Sequence, residues 1–115
     1  MIAVIFEVKP SEDGKAAYLD IAARLFEELK DHDGFLSVER FQSLSDPSKL
    51  LSLSFFRDEE AVAAWRNRTA HRGAQSAGRD GVFRDYRLRI ASVIRDYGMT
   101  DREQAPADSR ETHGA

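Results

Sequence analysis
The chain is 115 residues long, carries 17 Lys and Arg against 20 Asp and Glu for a formal charge of −3, and has no cysteine. A chain of this length removes roughly two thirds of its unfolded surface from water and folds as one domain. The lack of cysteine excludes disulfide frameworks, zinc fingers, thiolate nucleophiles and cysteine-ligated iron–sulfur clusters.

Residues 2–9 alternate Ile2, Val4, Phe6 and Val8 with Ala3, Ile5, Glu7 and Lys9 and stop at Pro10, which predicts a strand. Ser11, followed by Glu12 and Asp13, reads as an N-cap with acid in the first turn. Tyr18, Ile21, Ala22, Leu25 and Leu29 then recur at helical spacing up to Asp33-Gly34, so a helix is expected over about residues 12–32. Phe35–Ser43 and Leu50–Phe56 form a predicted hairpin whose connection contains Asp46-Pro47. Asp58 is positioned to cap a second helix over Glu59–Arg68, with a shorter helical piece from Ala70 to Gly78. Phe83–Tyr97 reads as a final strand, and residues 100–115, without apolar periodicity, as a disordered charged tail after a folded domain of residues 1–99.

This βαββαβ order predicts an α+β, ferredoxin-like split βαβ fold: a four-stranded antiparallel sheet with both helices on one face. Yet several strands are apolar on both faces. Ile5 opposes Ile2, Val4 and Phe6, and Leu51, Leu53 and Phe55 oppose Leu50 and Phe56. An apolar face that helices do not cover marks a partner surface, so a homodimer packed sheet to sheet is expected, with any pocket between a sheet and its own helices.

The charge is segmental. Residues 66–95 carry eight basic and two acidic side chains, and all eight are arginines: Arg66, Arg68, Arg72, Arg79, Arg84, Arg87, Arg89 and Arg95. Arginine suits planar anions and carboxylates. The overall acidity argues against nucleic acid as a partner, because non-specific binding there is mainly phosphate neutralisation. Strand alternation assigns Arg87, Arg89 and Arg95 to the assembly face and leaves Arg66, Arg72 and Arg79 near a pocket. No uncharged stretch is long enough to span a bilayer, and MIAVIFEVKP lacks a basic region ahead of a sustained apolar run. No membrane partner and a cytoplasmic location are therefore expected.

Glycine-rich phosphate loops, a His-x-x-x-His pair and a Gly-x-Ser-x-Gly elbow are missing from the sequence. The stretch from Trp65 to Arg79 holds the single Trp and the mid-chain His71. His71 falls near the start of the second helical piece, where partial positive charge favours neutral imidazole. That suits a general base or a metal ligand, although a surface or capping histidine fits the same position. Trp65 either floors an aromatic pocket or fills the core. Of the strand aromatics, Phe41, Phe83 and Tyr86 are the expected contacts of a flat aromatic ligand. His32, before Asp33-Gly34, and His113 read as structural or idle, and the pairs Glu27/Glu28 and Glu59/Glu60 as solvated helix faces.

Three segments carry a resemblance: Phe83-Arg84-Asp85-Tyr86-Arg87-Leu88-Arg89-Ile90-Ala91, Trp65-Arg66 through His71-Arg72 to Gly78-Arg79, and Gly34-Phe35 before the hairpin. Over residues 1–98 the chain resembles the antibiotic biosynthesis monooxygenase (ABM) domain family. The resemblance implies a ferredoxin-like domain dimerising into an α+β barrel. It also implies either a cofactor-independent oxygenase that converts phenols or quinols to quinones with O2, or a haem-binding or haem-degrading protein. Trp65 matches the family's helix tryptophan and His71 is the nearest candidate base. The chain has Ala61 where quinone-forming members carry asparagine, and Phe6-Glu7 and Gln75 where the haem-degrading branch carries asparagine and histidine.

The expected function is oxidation of a small aromatic phenol or quinol with O2, without a cofactor. In it Trp65 shapes the pocket, His71 takes the phenolic proton and Arg79 faces the phenolate or an acidic substituent. The alternatives are a haem protein with His71 as axial ligand, and a non-catalytic dimeric module that binds an aromatic metabolite.

Overall fold
The computed structural model describes residues 1–68 and 81–113. Its elements are β1 (Ile2–Pro10), α1 (Lys15–Leu29), β2 (Phe35–Gln42), β3 (Leu50–Phe56), α2 (Glu59–Arg66), β4 (Phe83–Ser92) and α3 (Ala107–His113). The strands form one antiparallel sheet in the order β2-β3-β1-β4, the ferredoxin-like arrangement expected from the sequence.

Period-two alternation divides the sheet. Ile2, Val4, Phe6 and Val8 of β1 and Leu50 and Phe56 of β3 face the helices and enter two core clusters. One gathers Ile2, Leu29, Phe56, Ala61, Val62 and Trp65. The other gathers Val8, Tyr18 and Leu50, with Phe6, Val82 and Phe83 against it. The opposite face carries Ala3, Ile5 and Glu7 beside Leu51, Leu53 and Phe55.

The start of α1 and the end of β4 differ from the expectation. α1 begins at Lys15 after an N-cap at Gly14 that makes no side-chain cap bond, and Ser11 does not cap it. Ser11 is used elsewhere: its N–H donates to the Val82 carbonyl at 2.9 Å and its carbonyl accepts from Gly14 at 2.8 Å, so residues 11–14 form a turn tied to the approach to β4. A Cβ at Gly14 would collide with the Val82 carbonyl and the Ser11 hydroxyl. β4 stops at Ser92 rather than Tyr97 because it pairs with β1, whose first paired residue, Ile2, lies opposite Ser92. A last bond runs from the Val93 N–H to the Met1 carbonyl at 3.0 Å. Arg95 therefore lies beyond the strand.

In the tail, Arg102 donates to the Gly98 carbonyl at 3.0 Å and to the Ser109 hydroxyl at 2.5 Å. It lies 5.3 Å from the Tyr97 ring centroid.

The junction between α1, β2 and α2 is held by a cap, an ion-pair group and a close glycine contact. The Asp58 carboxylate caps α2 by accepting from the Ala61 N–H at 2.8 Å, as expected. Arg57 donates to Asp58 at 3.0 Å and to Asp33 at 3.2 Å. The Arg57 guanidinium holds the Asp33 carboxyl below its ordinary range, and the Ala61 N–H followed by Arg57 does the same for Asp58.

Gly34 sits at φ +87°, and a Cβ there would stand 2.5 Å from that of Ala61. Its carbonyl also accepts from the Arg57 N–H at 2.7 Å. A side chain would be strained by the backbone angle and would push α2 off the sheet. Gly34→Ala is expected to lower stability by about 1–3 kcal/mol in urea denaturation. An unchanged midpoint would show that the junction relaxes freely.

Candidate active site
Between the sheet and its own helices lies a cavity of about 320 Å³. Its floor follows from the strand register. One rung runs Arg40, Ser52, Phe6, Leu88 across β2, β3, β1 and β4, and the next runs Val38, Ser54, Val4, Ile90. All eight side chains line the cavity. The polar groups of the floor, Arg40, Ser52 and Ser54, thus lie on the β2–β3 half, beside Val38 and Phe56, and the β1–β4 half is apolar.

At the apolar end Phe6, Tyr18, Phe83 and Tyr86 form a box of rings. Phe6 lies 5.7 Å from Phe83 and 5.8 Å from Tyr86 between centroids, and Tyr18 lies 5.6 Å from Phe83. Edge-to-face and tilted contacts of this kind place positive ring edges against negative faces and present a rigid apolar wall. Tyr86, Leu88 and Ile90 are 40–45% exposed, so the β4 side stands open to solvent.

Trp65 supplies part of the wall from α2. It is buried to 7% exposure within the core cluster and also lines the cavity, so the two roles left open by the sequence coincide. Arg68 lies 5.2 Å from its ring centroid, and the His32 ring meets it edge-on at 5.6 Å.

His32, read from sequence as structural or idle, has a defined structural place. Its Nε2 lies 2.9 Å from the Ala61 carbonyl, and its Nδ1 faces the Arg68 guanidinium at 3.5 Å. Because a carbonyl can only accept, Nε2–H is the donor to Ala61, and this bond sets the orientation of the ring. Arg68 also donates to the Glu28 carbonyl at 3.3 Å, joining α2 to the end of α1.

Of the residues assigned to the site from sequence, Trp65, Phe83 and Tyr86 line this cavity. Phe41 does not. It pairs with Leu51 in the register, so alternation puts it on the opposite face of the sheet. His71 and Arg79 lie outside the described residues, as do Arg72 and the helical piece expected over Ala70–Gly78. No histidine lines the cavity among the described residues. Nor do any three or more His, Asp or Glu side chains there form a group that could hold a metal ion.

Arg40, Ser52 and Ser54 are the lining residues the sequence reading missed. Arg40 is in phase with Val38 on β2, but it is exposed, and a lone exposed charge in a strand gives no signal of a site. Arg66 at the end of α2 also lines the cavity, whereas Arg89, assigned to the assembly face, pairs with Glu7 of its own sheet at 3.3 Å.

A ferredoxin-like domain with an aromatic-walled cavity between sheet and helices is the class these features define. Residues 1–77 match the antibiotic biosynthesis monooxygenase family. The chain is 48% identical over 93 residues to a jasmonate monooxygenase, ABM, of Pyricularia oryzae, covering 81% of this chain and 43% of that protein. It is 31% identical over 93 residues to protein YqjZ of Bacillus subtilis, covering 81% of this chain and 79% of that one. Its fold matches that of Rv0793 from Mycobacterium tuberculosis with a TM-score of 0.75 at 15% identity, over 84% of this chain and 98% of that chain. The chain belongs to the antibiotic biosynthesis monooxygenase family, and it spans less than half the length of the Pyricularia relative. Among the described residues no helix is long and apolar enough to cross a membrane.

The contacts of His32 give a direct test of how the Trp65 wall is held. His32→Ala removes the donor to the Ala61 carbonyl and the ring edge against Trp65. It is expected to cost about 1–3 kcal/mol in urea denaturation and to shift the fluorescence of Trp65. An unshifted spectrum would show that Trp65 is held without His32.

Proposed function
We propose that this protein is a monooxygenase that oxidises a small, largely apolar substrate with O2, a phenol or quinol in the finer reading. The observation that carries it is the cavity itself: an apolar space bounded by Trp65 and the Phe6, Tyr18, Phe83 and Tyr86 rings, open on one side, in a chain of the monooxygenase family. The 48% identity to a jasmonate monooxygenase supports oxygenation of a small organic molecule.

In this reading His71 takes the phenolic proton, the phenolate passes one electron to O2, and the two radicals combine to form the new C–O bond. Loss of water gives the quinone, so one phenol and one O2 yield one quinone and one H2O. The substrate supplies the electrons and no resident cofactor is required. Trp65, Phe83 and Tyr86 orient the ring, and Arg79 stabilises the developing phenolate by charge fixed in advance. The haem alternative would rest on His71, since His32 is engaged with Ala61 and does not line the cavity.

Oxygen uptake by the full chain with hydroquinone-type substrates tests the reading. His71→Ala is expected to lower the rate by roughly two orders of magnitude, the size of a general-base effect. Unchanged turnover removes His71 from the mechanism, and no uptake by the unaltered chain removes the oxygenase reading.

We also propose that the helix-free face of the sheet joins a second copy of the chain. Half-buried Ile5, Leu51, Leu53 and Phe55 and exposed Phe41 make its apolar centre. Glu7, paired with Arg89 and Lys49, borders it. Burial works to raise Glu7, but the hydrogen bonds and charges of these two cations outweigh it and keep the carboxyl below its ordinary value. Sedimentation equilibrium is expected to return twice the chain mass, and Leu53→Lys to return the monomer; a well-folded monomer for the unaltered chain would overturn the dimer.

A further inference from the structure
Two exposed arginines, Arg40 and Arg66, line an otherwise largely apolar cavity. Arg40 stands on the floor from β2, directly across from Ser52 of β3. Arg66 reaches the same cavity from the last turn of α2, and α2 packs on β3. Both cations therefore belong to the β2–β3 side, away from the box of rings at the β1–β4 side.

Neither is consumed by the fold. Among the described residues Arg57, Arg24 and Arg89 each find a carboxylate, while Arg40 and Arg66 enter no ion pair. No Asp or Glu lines the cavity among those residues either. The polar groups beside Arg40 on the floor are the Ser52 and Ser54 hydroxyls, which can donate to an anion as well as accept.

We propose that the substrate is an amphipathic carboxylate. Its acid group is held at the Arg40–Ser52 rung with Arg66 above it, and its apolar body lies along Phe6 toward Tyr86. This deepens the oxygenase reading and rests on the cavity being its substrate site. Arg40 and Arg66 are specificity-determining residues that bind a group remote from the reacting atoms. A guanidinium fork matches a carboxylate in two parallel hydrogen bonds. The separation also fixes direction: a molecule with one charged and one apolar end enters this cavity in one orientation, which presents the same atoms to the oxidation chemistry each time.

The test uses two probes of the same shape and opposite polarity, 2-naphthylacetate and its neutral amide, titrated into the full chain by calorimetry at low and at physiological salt. The carboxylate is expected to bind about ten-fold tighter than the amide, the range of a charge-assisted contact at a partly exposed site. Arg40→Met and Arg66→Met are each expected to remove most of that difference while leaving the amide within about two-fold. Arg87→Met, on the opposite face of the sheet, removes the same unit of charge and is expected to change neither, which separates a local contact from a general field.

Equal binding of the two probes by the unaltered chain overturns the anion site. So does an equal loss for both probes in Arg40→Met, or a loss in Arg87→Met as large as in Arg40→Met. Binding of neither probe at millimolar concentration overturns the cavity as the substrate site as well. Oxygen uptake with neutral hydroquinones reports on the oxygenase reading alone, so the two can fail separately.

Discussion
The sheet is built around the pairing of its two central strands, β1 and β3, which runs from Val8–Leu50 through Ile2–Phe56. β1 carries β4 on its other edge along Val8–Tyr86 through Ile2–Ser92, and β3 carries β2 on its own. Because side chains alternate strictly, these registers decide which residues share a rung and which face each rung presents. A slip of one residue would send Phe6 to the outer face and bring Glu7 beneath the helices. The apolar residues at positions 2, 4, 6 and 8 make that slip costly, since Val8 and Ile2 are buried in the two core clusters.

From those registers the cavity acquires its polarity without a dedicated loop. The hairpin strands contribute Arg40, Ser52 and Ser54 on the inward face, and the strands on the other side contribute Val4, Phe6, Leu88 and Ile90. The helices then complete the walls, and α2 is held at both ends. Gly34 lets Ala61 approach the β2 entrance, Asp58 and Arg57 hold the helix start, and His32 with Arg68 hold its far end around Trp65. The tryptophan wall is therefore positioned from the helix termini, while the floor is positioned by strand pairing.

The arginine-rich stretch is partitioned by the same logic. Arg68 ties α2 to α1, Arg89 pairs with Glu7 inside its own sheet, and Arg66 is left lining the cavity. A segment that looks like one basic feature in the sequence thus serves three separate tasks. Arg40, which lies far from it in the chain, shares the cavity with Arg66.

The order of elements and the inward sets of β1, β3 and β4 were legible in the sequence, because alternation and helical spacing are local patterns that survive any tertiary context. Asp58 as a cap and Trp65 on the inner side of α2 were legible for the same reason. Phe41 was misplaced because an aromatic residue in a strand declares apolarity without declaring which face it occupies; only its pairing with Leu51 decides that. Arg40 was missed because a single charge in a strand reads as solvent-facing until the register puts it beside Ser52. The later start of α1 and the shorter β4 depended on partners distant in the chain: Val82 for Ser11, and the first residues of β1 for β4. The sequence by itself determined the fold class and the apolar nature of both sheet faces, through periodicities written into neighbouring residues. The polarity of the cavity and the company of each ring and guanidinium were decided by tertiary structure, because they arise from strand register and helix docking between residues that no local pattern links.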